Sequence, residues 1–381
     1  MIYFDHNATS PLSRTARKAW LETSDRFIGN PSSPHRLGQR ADGALTEARE
    51  KLAAHLRCDV MDIVWTSGAT EAANTILQHC AKTLPANAAI WISPLEHPSV
   101  QEPAKYLFGP RLRRIPVGKS GAVESAWLKR EFRKRKPGLV VVMAANNETG
   151  VLQPWTDIAD LCSDAGVPFF CDATQWLGKL PAAGLGRCDY VSGSAHKFGG
   201  PKGVGFFKAS STGRFAPLLR GGQQEEGRRA GTENVPGVLA MVAALAERER
   251  SLAASTKKTG NTQVKKMRAA FEKRLRKILP GAEIVGANTP RLWNTVCALM
   301  PPADCRQQRW VVKLDKQGFA VSTGSACASG KEEPSHVLLA MGYSPAEAGR
   351  VLRFSSGWNT RAEDWEQLAN ALKRVHDEMK Q

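Results

Sequence analysis

No apolar run in this chain is long enough to cross a bilayer, so a membrane-spanning helix is not expected. The N-terminal segment "MIYFDHNATSPL" carries an acid and no basic stretch. It does not read as a secretory signal, and a cytoplasmic protein is expected. No Cys-x-x-Cys pair occurs among the eight cysteines, Cys58, Cys80, Cys162, Cys171, Cys188, Cys297, Cys305 and Cys327. Their spacing fits neither a zinc site nor a disulfide framework, and most sit among apolar residues as small core fillers. There is no internal repeat and no low-complexity tract. Acids are in short supply, with 36 Asp and Glu against 53 Lys and Arg, which leaves a net charge of +17. Such an excess fits an anionic partner or simply a soluble surface. The basic stretches "KREFRKRKPG" and "KKMRAAFEKRLRK" do not interleave aromatic residues as a base-stacking surface would, which argues against direct nucleic-acid binding. In the second, Met267, Phe271 and Leu275 recur at helical spacing, so it reads as an amphipathic helix with a basic solvent face.

What is present is the texture of a soluble globular protein, 381 residues long, 42% hydrophobic and 23% charged. That length predicts about two domains. From about residue 40 to 250, short apolar runs alternate with helical patterns. "DIVWTSG", "AAIWISP", "LVVVMAANNE", "PFFCDAT", "DYVSGS" and "GVGFFKA" read as strands, several of them covered on both faces. "ADGALTEAREKLAAHL", "SVQEPAKYLF" and "WTDIADLCSDAG" read as helices between them. The alternation predicts an open, largely parallel α/β sheet. After "VPGVLAMVAALAERERSLAAS" the pattern changes to the basic helix, a strand at "LWNTVCAL", a helix around Arg306 to Gln317, a short strand at "FAVST" and two more helices, as in a smaller α+β domain.

In open α/β sheets, ligands sit beyond the carboxyl ends of the strands. Here "TSGAT", "EHPS", "NNETG", "DATQ" and "SGSAHK" each follow a strand and bring small or hydrogen-bonding residues to that edge. Gly68-Ala69-Thr70 opens a helix, and a helix start with free N–H groups is a natural anion cradle. Ser194 and His196 add donors from another strand end, which favours phosphate over a simple helix cap. A lysine beside a phosphate site, Lys197, suggests pyridoxal phosphate held covalently. Asp172 would then pair with the pyridinium nitrogen and Gln175 would hydrogen-bond the ring hydroxyl. No His/Asp cluster supports a metal.

Taken together, "TSGATEAAN", "EHPSV", "NNETGVLQP", "DATQWLGKLP", "SGSAHKFGGPKGVG", "GRRAGTENV" and "STGSACASGKEEPSHVLLAMG" resemble the motif set of cysteine desulfurases of the NifS/IscS group. These are class V aminotransferase-family members of the fold-type I pyridoxal-phosphate enzymes. The resemblance runs from "YFDHNAT" to "RVLRFSSG", nearly the whole chain. It implies a large domain, residues 14–253, with a mainly parallel seven-stranded sheet between helices, and a smaller α+β domain made of residues 1–13 and 254–381. It also implies that Lys197 carries the cofactor, that Asp172 and Gln175 hold its ring, and that Ala69, Thr70, Ser194 and His196 hold its phosphate. His97 would stack on the ring and move protons. Asn147 and Arg353 would hold the substrate carboxylate, although Arg353 in "RVLRFSSG" also reads as a buried ion-pair arginine. Thr232 would reach a phosphate in the neighbouring subunit, which implies a homodimer.

Cys327 lies among small residues between Gly324 and Gly330, where an exposed, mobile loop is expected, and Lys331 would favour its thiolate. By the resemblance, L-cysteine becomes L-alanine, Cys327 takes the sulfur as a persulfide, and a sulfur-acceptor protein receives it. The destination stays open between iron–sulfur cluster assembly, tRNA thiolation and DNA sulfur modification. An aminotransferase or selenocysteine lyase of the same superfamily is the nearest alternative, and a basic nucleic-acid-binding relative a more distant one. Arg306, Arg309 and Trp310 stand where a more aliphatic helix face is expected.

Overall fold

The computed structural model describes residues 1–210, 215–257, 260–302, 307–323 and 334–380. Cys305, Arg306, Cys327 and Lys331 lie outside them. Along the chain come β1 (Ile2–Tyr3), α1 (Arg14–Arg26), α2 (Arg36–Leu56), β2 (Ile63–Thr66), α3 (Ala69–Thr83), β3 (Ile90–Ile92), α4 (Pro98–Phe108) and β4 (Leu112–Arg114). They are followed by α5 (Ser125–Lys134), β5 (Leu139–Val141), α6 (Trp155–Ala165), β6 (Phe169–Asp172), β7 (Tyr190–Ser194), β8 (Gly205–Ala209) and α7 (Val235–Lys257). The C-terminal part holds α8 (Gly260–Ile278), β9 (Glu283–Ile284), β10 (Thr295–Leu299), α9 (Gln307–Lys316) and β11 (Phe319–Ala320). It closes with α10 (His336–Ala340), α11 (Pro345–Ala348), β12 (Val351–Ser355) and α12 (Ala362–Lys380).

The main sheet has seven strands in the order β2-β8-β7-β6-β5-β3-β4. Its pairs are parallel except those of β8, which runs antiparallel to both β2 and β7. The continuous apolar strands alternate sides strictly. Ile63, Trp65, Val140, Phe169, Cys171 and Phe206 pack on one face with α2, α6 and α7. Val64, Leu139, Val141, Phe170 and Phe207 pack on the other with α3 and α4. A sheet so covered cannot place polar chemistry on its faces, which leaves the strand ends.

The C-terminal part forms a three-stranded antiparallel sheet in the order β12-β10-β9. β1 pairs with β11, Ile2 opposite Phe319, so the N-terminus joins this part of the molecule. Phe4 packs there against Trp365, which in turn contacts Phe271. Trp310 is buried in the same core and stacks on His376, so the helix face that departs from an aliphatic pattern still packs inward.

Among the described residues four strands were not legible in the sequence, and β1 and β9 are only two residues long. β4 is a three-residue edge strand whose two arginines hide its apolar signal. β12 contains Arg353, which breaks the apolar run although that side chain is buried. Three helices rather than two follow β11.

Candidate active site

The ends of β2, β3, β5, β6 and β7 converge on one cavity of about 910 Å³. Its lining includes Ala69, Thr70, His97, Asn147, Asp172, Gln175, Ser194, His196, Lys197 and Arg353. All the expected site residues on described segments therefore meet in one place, except Thr232. Thr232 is exposed and lies outside this cavity. The N-terminal segment contributes Asn7, Ala8 and Thr9, and the C-terminal part contributes Pro334, Ser335 and His336.

The small residues of "SGSAHK" each have a reason. Ser192 donates its hydroxyl to Asp172 Oδ1 at 3.0 Å. A Cβ on Gly193 would sit 2.5 Å from Phe206, so only glycine lets β8 approach. Ser194 lines the cavity, and the chain then makes a short 3-10 turn through Ala195–Lys197. That turn presents Lys197, whose Nζ donates to the carbonyl oxygens of Asn7 at 2.8 Å and Ala8 at 2.7 Å.

Asp172 ends β6 and is buried. The Thr174 N–H also donates to Oδ1, at 3.0 Å, so both bonds from described residues use one oxygen and leave Oδ2 for a donor in the cavity. The start of α3 has no side-chain cap, so its first N–H groups are available to an anion beside the Ser194 hydroxyl. His196 Nδ1 lies 3.0 Å from Thr9 Oγ1. Its pKa is lowered to about 4 by burial and by the nearby Lys197, Lys202 and Lys179, so at neutral pH it is an uncharged hydrogen-bonding group. The uncapped start of α3, a buried carboxylate and a lysine amine all meet one cavity, and that set of groups fits the phosphate, ring nitrogen and aldehyde of pyridoxal phosphate.

His97 caps α4, and its Nδ1 accepts the Ser99 N–H at 3.1 Å. A backbone N–H can only donate, so the neutral ring carries its proton on Nε2. Burial lowers the His97 pKa, as do Lys197 and His336, against the opposing pull of Asp172. In "NNETG", Asn146 Oδ1 accepts the N–H groups of Glu148 and Thr149, which folds the loop tightly at the cavity edge. Arg353 donates to the Asn147 carbonyl at 3.0 Å and to Asp5 Oδ1 at 2.7 Å, so the buried ion pair and the cavity position occur together.

Several site residues escaped the sequence reading. Asn7 is a buried hub, its Nδ2 donating to the Asn147 carbonyl and to Thr295 Oγ1. Lys179 is buried behind the cavity and donates to Asn7 Oδ1 at 3.1 Å and to Gln175 Oε1. Glu96 is fully buried; burial and the nearby Asp172 raise its pKa well above the usual carboxyl value, opposed by the Met143 N–H. His336 Nε2 meets the Glu96 carbonyl at 2.9 Å. "FDHNAT" and "GKLP" do hold a polar residue beside an apolar one, but no periodicity marks these partners, which are distant in sequence. None of the six described cysteines lines the cavity, and burial pushes Cys58 to about 11 and Cys80 and Cys162 to about 12.

The sequence matches the family described as aminotransferase class-V over residues 2–368. It is 38% identical to a cysteine desulfurase of Klebsiella pneumoniae over 384 aligned residues, covering 100% of this chain and 94% of that protein. The fold is similar to the X-ray structure of a NifS-like protein from Rickettsia africae, with a TM-score of 0.86 and 29% identity over 99% of both chains. It is also similar to SspA in complex with cysteine, with a TM-score of 0.78 and 27% identity over 93% of this chain and 98% of that one.

Proposed function

This chain belongs to the aminotransferase class-V family, within its cysteine desulfurases, and on that premise we propose how its residues take sulfur from L-cysteine and pass it to Cys327. The fold is that of the fold-type I pyridoxal-phosphate enzymes, and the enzyme depends on that cofactor. The observation that carries the assignment of roles is the meeting of Lys197, Asp172 and the uncapped start of α3 in one cavity.

Lys197 would hold the cofactor, Asp172 would supply a carboxylate for its ring nitrogen, and Gln175 would hydrogen-bond its ring oxygen. The α3 N–H groups at Ala69 and Thr70, with Ser194 and His196, would hold its phosphate. When bound, the cofactor supplies an electron-withdrawing ring that takes up the electron pair left as the α C–H bond of the amino acid breaks. Lys197 is the base for that proton, because the Nδ1 of His97 is already an acceptor and its Nε2 bears hydrogen. His97 acts through the Nε2–H as a donor. Arg353 and Asn147 orient the substrate carboxylate, with Asp5 holding the guanidinium in place.

Cys327 receives the sulfur. The substrate C–S bond breaks, an S–S bond forms on Cys327 Sγ, and the displaced thiol proton is matched by the new C–H bond of alanine. No outside oxidant or reductant is needed as far as the persulfide. The described residues on either side of the Cys327 segment support this. Ser322 pairs with Arg353, and Ser335 lines the cavity, donating to Glu148 Oε2 at 2.5 Å.

A homodimer in the cytoplasm, with an acceptor protein that takes the persulfide sulfur, completes the proposal. Thr232 is exposed and lies three residues from Arg229, which pairs with Glu71 at the cavity edge, and this supports the reading that it meets a second subunit. The division into residues 14–253 and residues 1–13 with 254–381 is supported by the pairing of β1 with β11. The test is to incubate the cofactor-loaded protein with L-cysteine and a thiol reductant and to assay alanine and sulfide. Equal yields from the wild type and none from Cys327→Ala support the scheme. Full turnover by Cys327→Ala contradicts it and favours an aminotransferase-like reaction, whereas turnover confined to selenocysteine favours a lyase.

A further inference from the structure

Gln175 lines the cavity, yet both ends of its side-chain amide are already engaged. Nε2 donates to the Asn7 carbonyl at 2.9 Å, and Oε1 accepts from Lys179 Nζ. Lys179 itself is only 1% exposed and does not line the cavity. Its other acceptor is Asn7 Oδ1 at 3.1 Å, an oxygen shared with Asn294 Nδ2. A flip of the Gln175 amide would set its NH₂ against the Lys179 amine and its carbonyl against the Asn7 carbonyl. Both hydrogen bonds would be lost in a place closed to water, so one orientation is enforced. In that orientation Oε1 is committed, and the second hydrogen on Nε2 is what the amide can offer to the cavity.

We propose that Lys179 is a positioning residue for the cofactor site, locking the Gln175 amide so that it presents an N–H donor, not a carbonyl, to the ring oxygen of pyridoxal phosphate. This rests on the assignment of Gln175 to that oxygen. A lysine suits the task because its ammonium can only meet an oxygen here, whereas a hydroxyl would accept either orientation. The positively charged groups around it are Lys197 and Arg353, and burial together with these two lowers its pKa well below the usual lysine value. Only the ammonium form, which has no lone pair, forbids a flipped amide at this end, while the Asn7 carbonyl holds the Nε2 end in either form.

The test is the pH midpoint of the visible absorption band of the bound cofactor, read in the holoenzyme. A donor to the ring oxygen weakens proton binding at the chromophore, so losing it moves the midpoint upward, by about half a unit to one unit. Gln175→Ala and Lys179→Met are each expected to give that rise, and the double variant is expected to rise no further than Gln175→Ala alone. A Lys179→Met midpoint equal to wild type while Gln175→Ala shifts overturns the proposal. So does a Lys179→Met shift that adds in full to that of Gln175→Ala, because charge and not amide orientation would then be at work. If Gln175→Ala itself leaves the midpoint in place, the assignment of Gln175 fails, and the lock with it. Should Lys179→Met not accumulate as folded protein, Lys179→Gln takes its place in the same cycle. It is expected to fall nearer wild type, because it keeps an N–H donor, and a shift that adds in full is again contrary.

Discussion

Lys197 Nζ donates to the main-chain carbonyl of Asn7 at 2.8 Å, joining residues 190 positions apart in the chain. The lysine that ends the active-site turn is thus aimed by the N-terminal segment, which itself pairs with the C-terminal part of the molecule. Asn7 spends its side chain on the same task, through Asn147, Thr295, Lys179 and Asn294. Asn7→Ala strips buried groups of their partners and is expected to cost about 2–3 kcal/mol of stability, read from urea unfolding of the cofactor-free protein. A loss within 0.5 kcal/mol, taking roughly that as the usual surface value, would contradict the hub.

Asp172→Asn keeps an acceptor for Ser192 and Thr174, so the fold is expected to hold, with stability changed by about 1 kcal/mol or less. What disappears is the charge proposed to pair with the ring nitrogen of the cofactor. Alanine formation is expected to fall by roughly 100-fold or more while the protein still binds pyridoxal phosphate. Wild-type turnover in this variant would remove Asp172 from the site.

Arg353→Lys keeps a cation beside Asp5 but loses the planar fork. Because the substrate carboxylate is its expected partner, KM for cysteine should rise about tenfold or more, with cofactor binding unchanged. An unchanged KM would return Arg353 to a purely structural ion pair.

Much of the site was legible before the fold was known, because each strand end carries its polar residue immediately after an apolar run. Asp172 after "PFFC" and Lys197 after "YVSGSAH" need only local sequence to be placed. Lys179 and Asn7 were not legible, since their side chains find partners 4 to 288 positions away, held together only by the packed fold. Arg353 was readable as a site residue, but its strand was not. A buried guanidinium in β12 breaks an apolar pattern that Asp5 and the Asn147 carbonyl make tolerable.

Acid should weaken the fold through imidazoles that are neutral inside it. His6 has its pKa lowered from 6.5 to about 4 by burial and by the nearby Lys179 and Arg248. Unfolding restores the higher value, so the unfolded state binds the extra proton. Stability is therefore full above pH 6.5 and is lost as pH falls from there toward about 4. After discounting for solvent screening at a partly exposed group, the loss is about 1–2 kcal/mol. His6→Phe should flatten that slope in chemical denaturation at neutral and acidic pH, and an unchanged slope would assign it elsewhere.

Gly357 has a steric reason tied to the same ring. A Cβ there would lie 2.1 Å from His6 Cε1. Gly357→Ala is expected to destabilise by about 1–3 kcal/mol in thermal or urea unfolding, and a neutral outcome would mean that the ring can move aside at no cost.

The most direct measurement is borohydride reduction of the cofactor-loaded protein followed by peptide mass spectrometry. The added mass of the reduced cofactor is expected on the peptide containing Lys197, with Lys179 unmodified. An unmodified Lys197, or the adduct on Lys179 instead, would contradict the account.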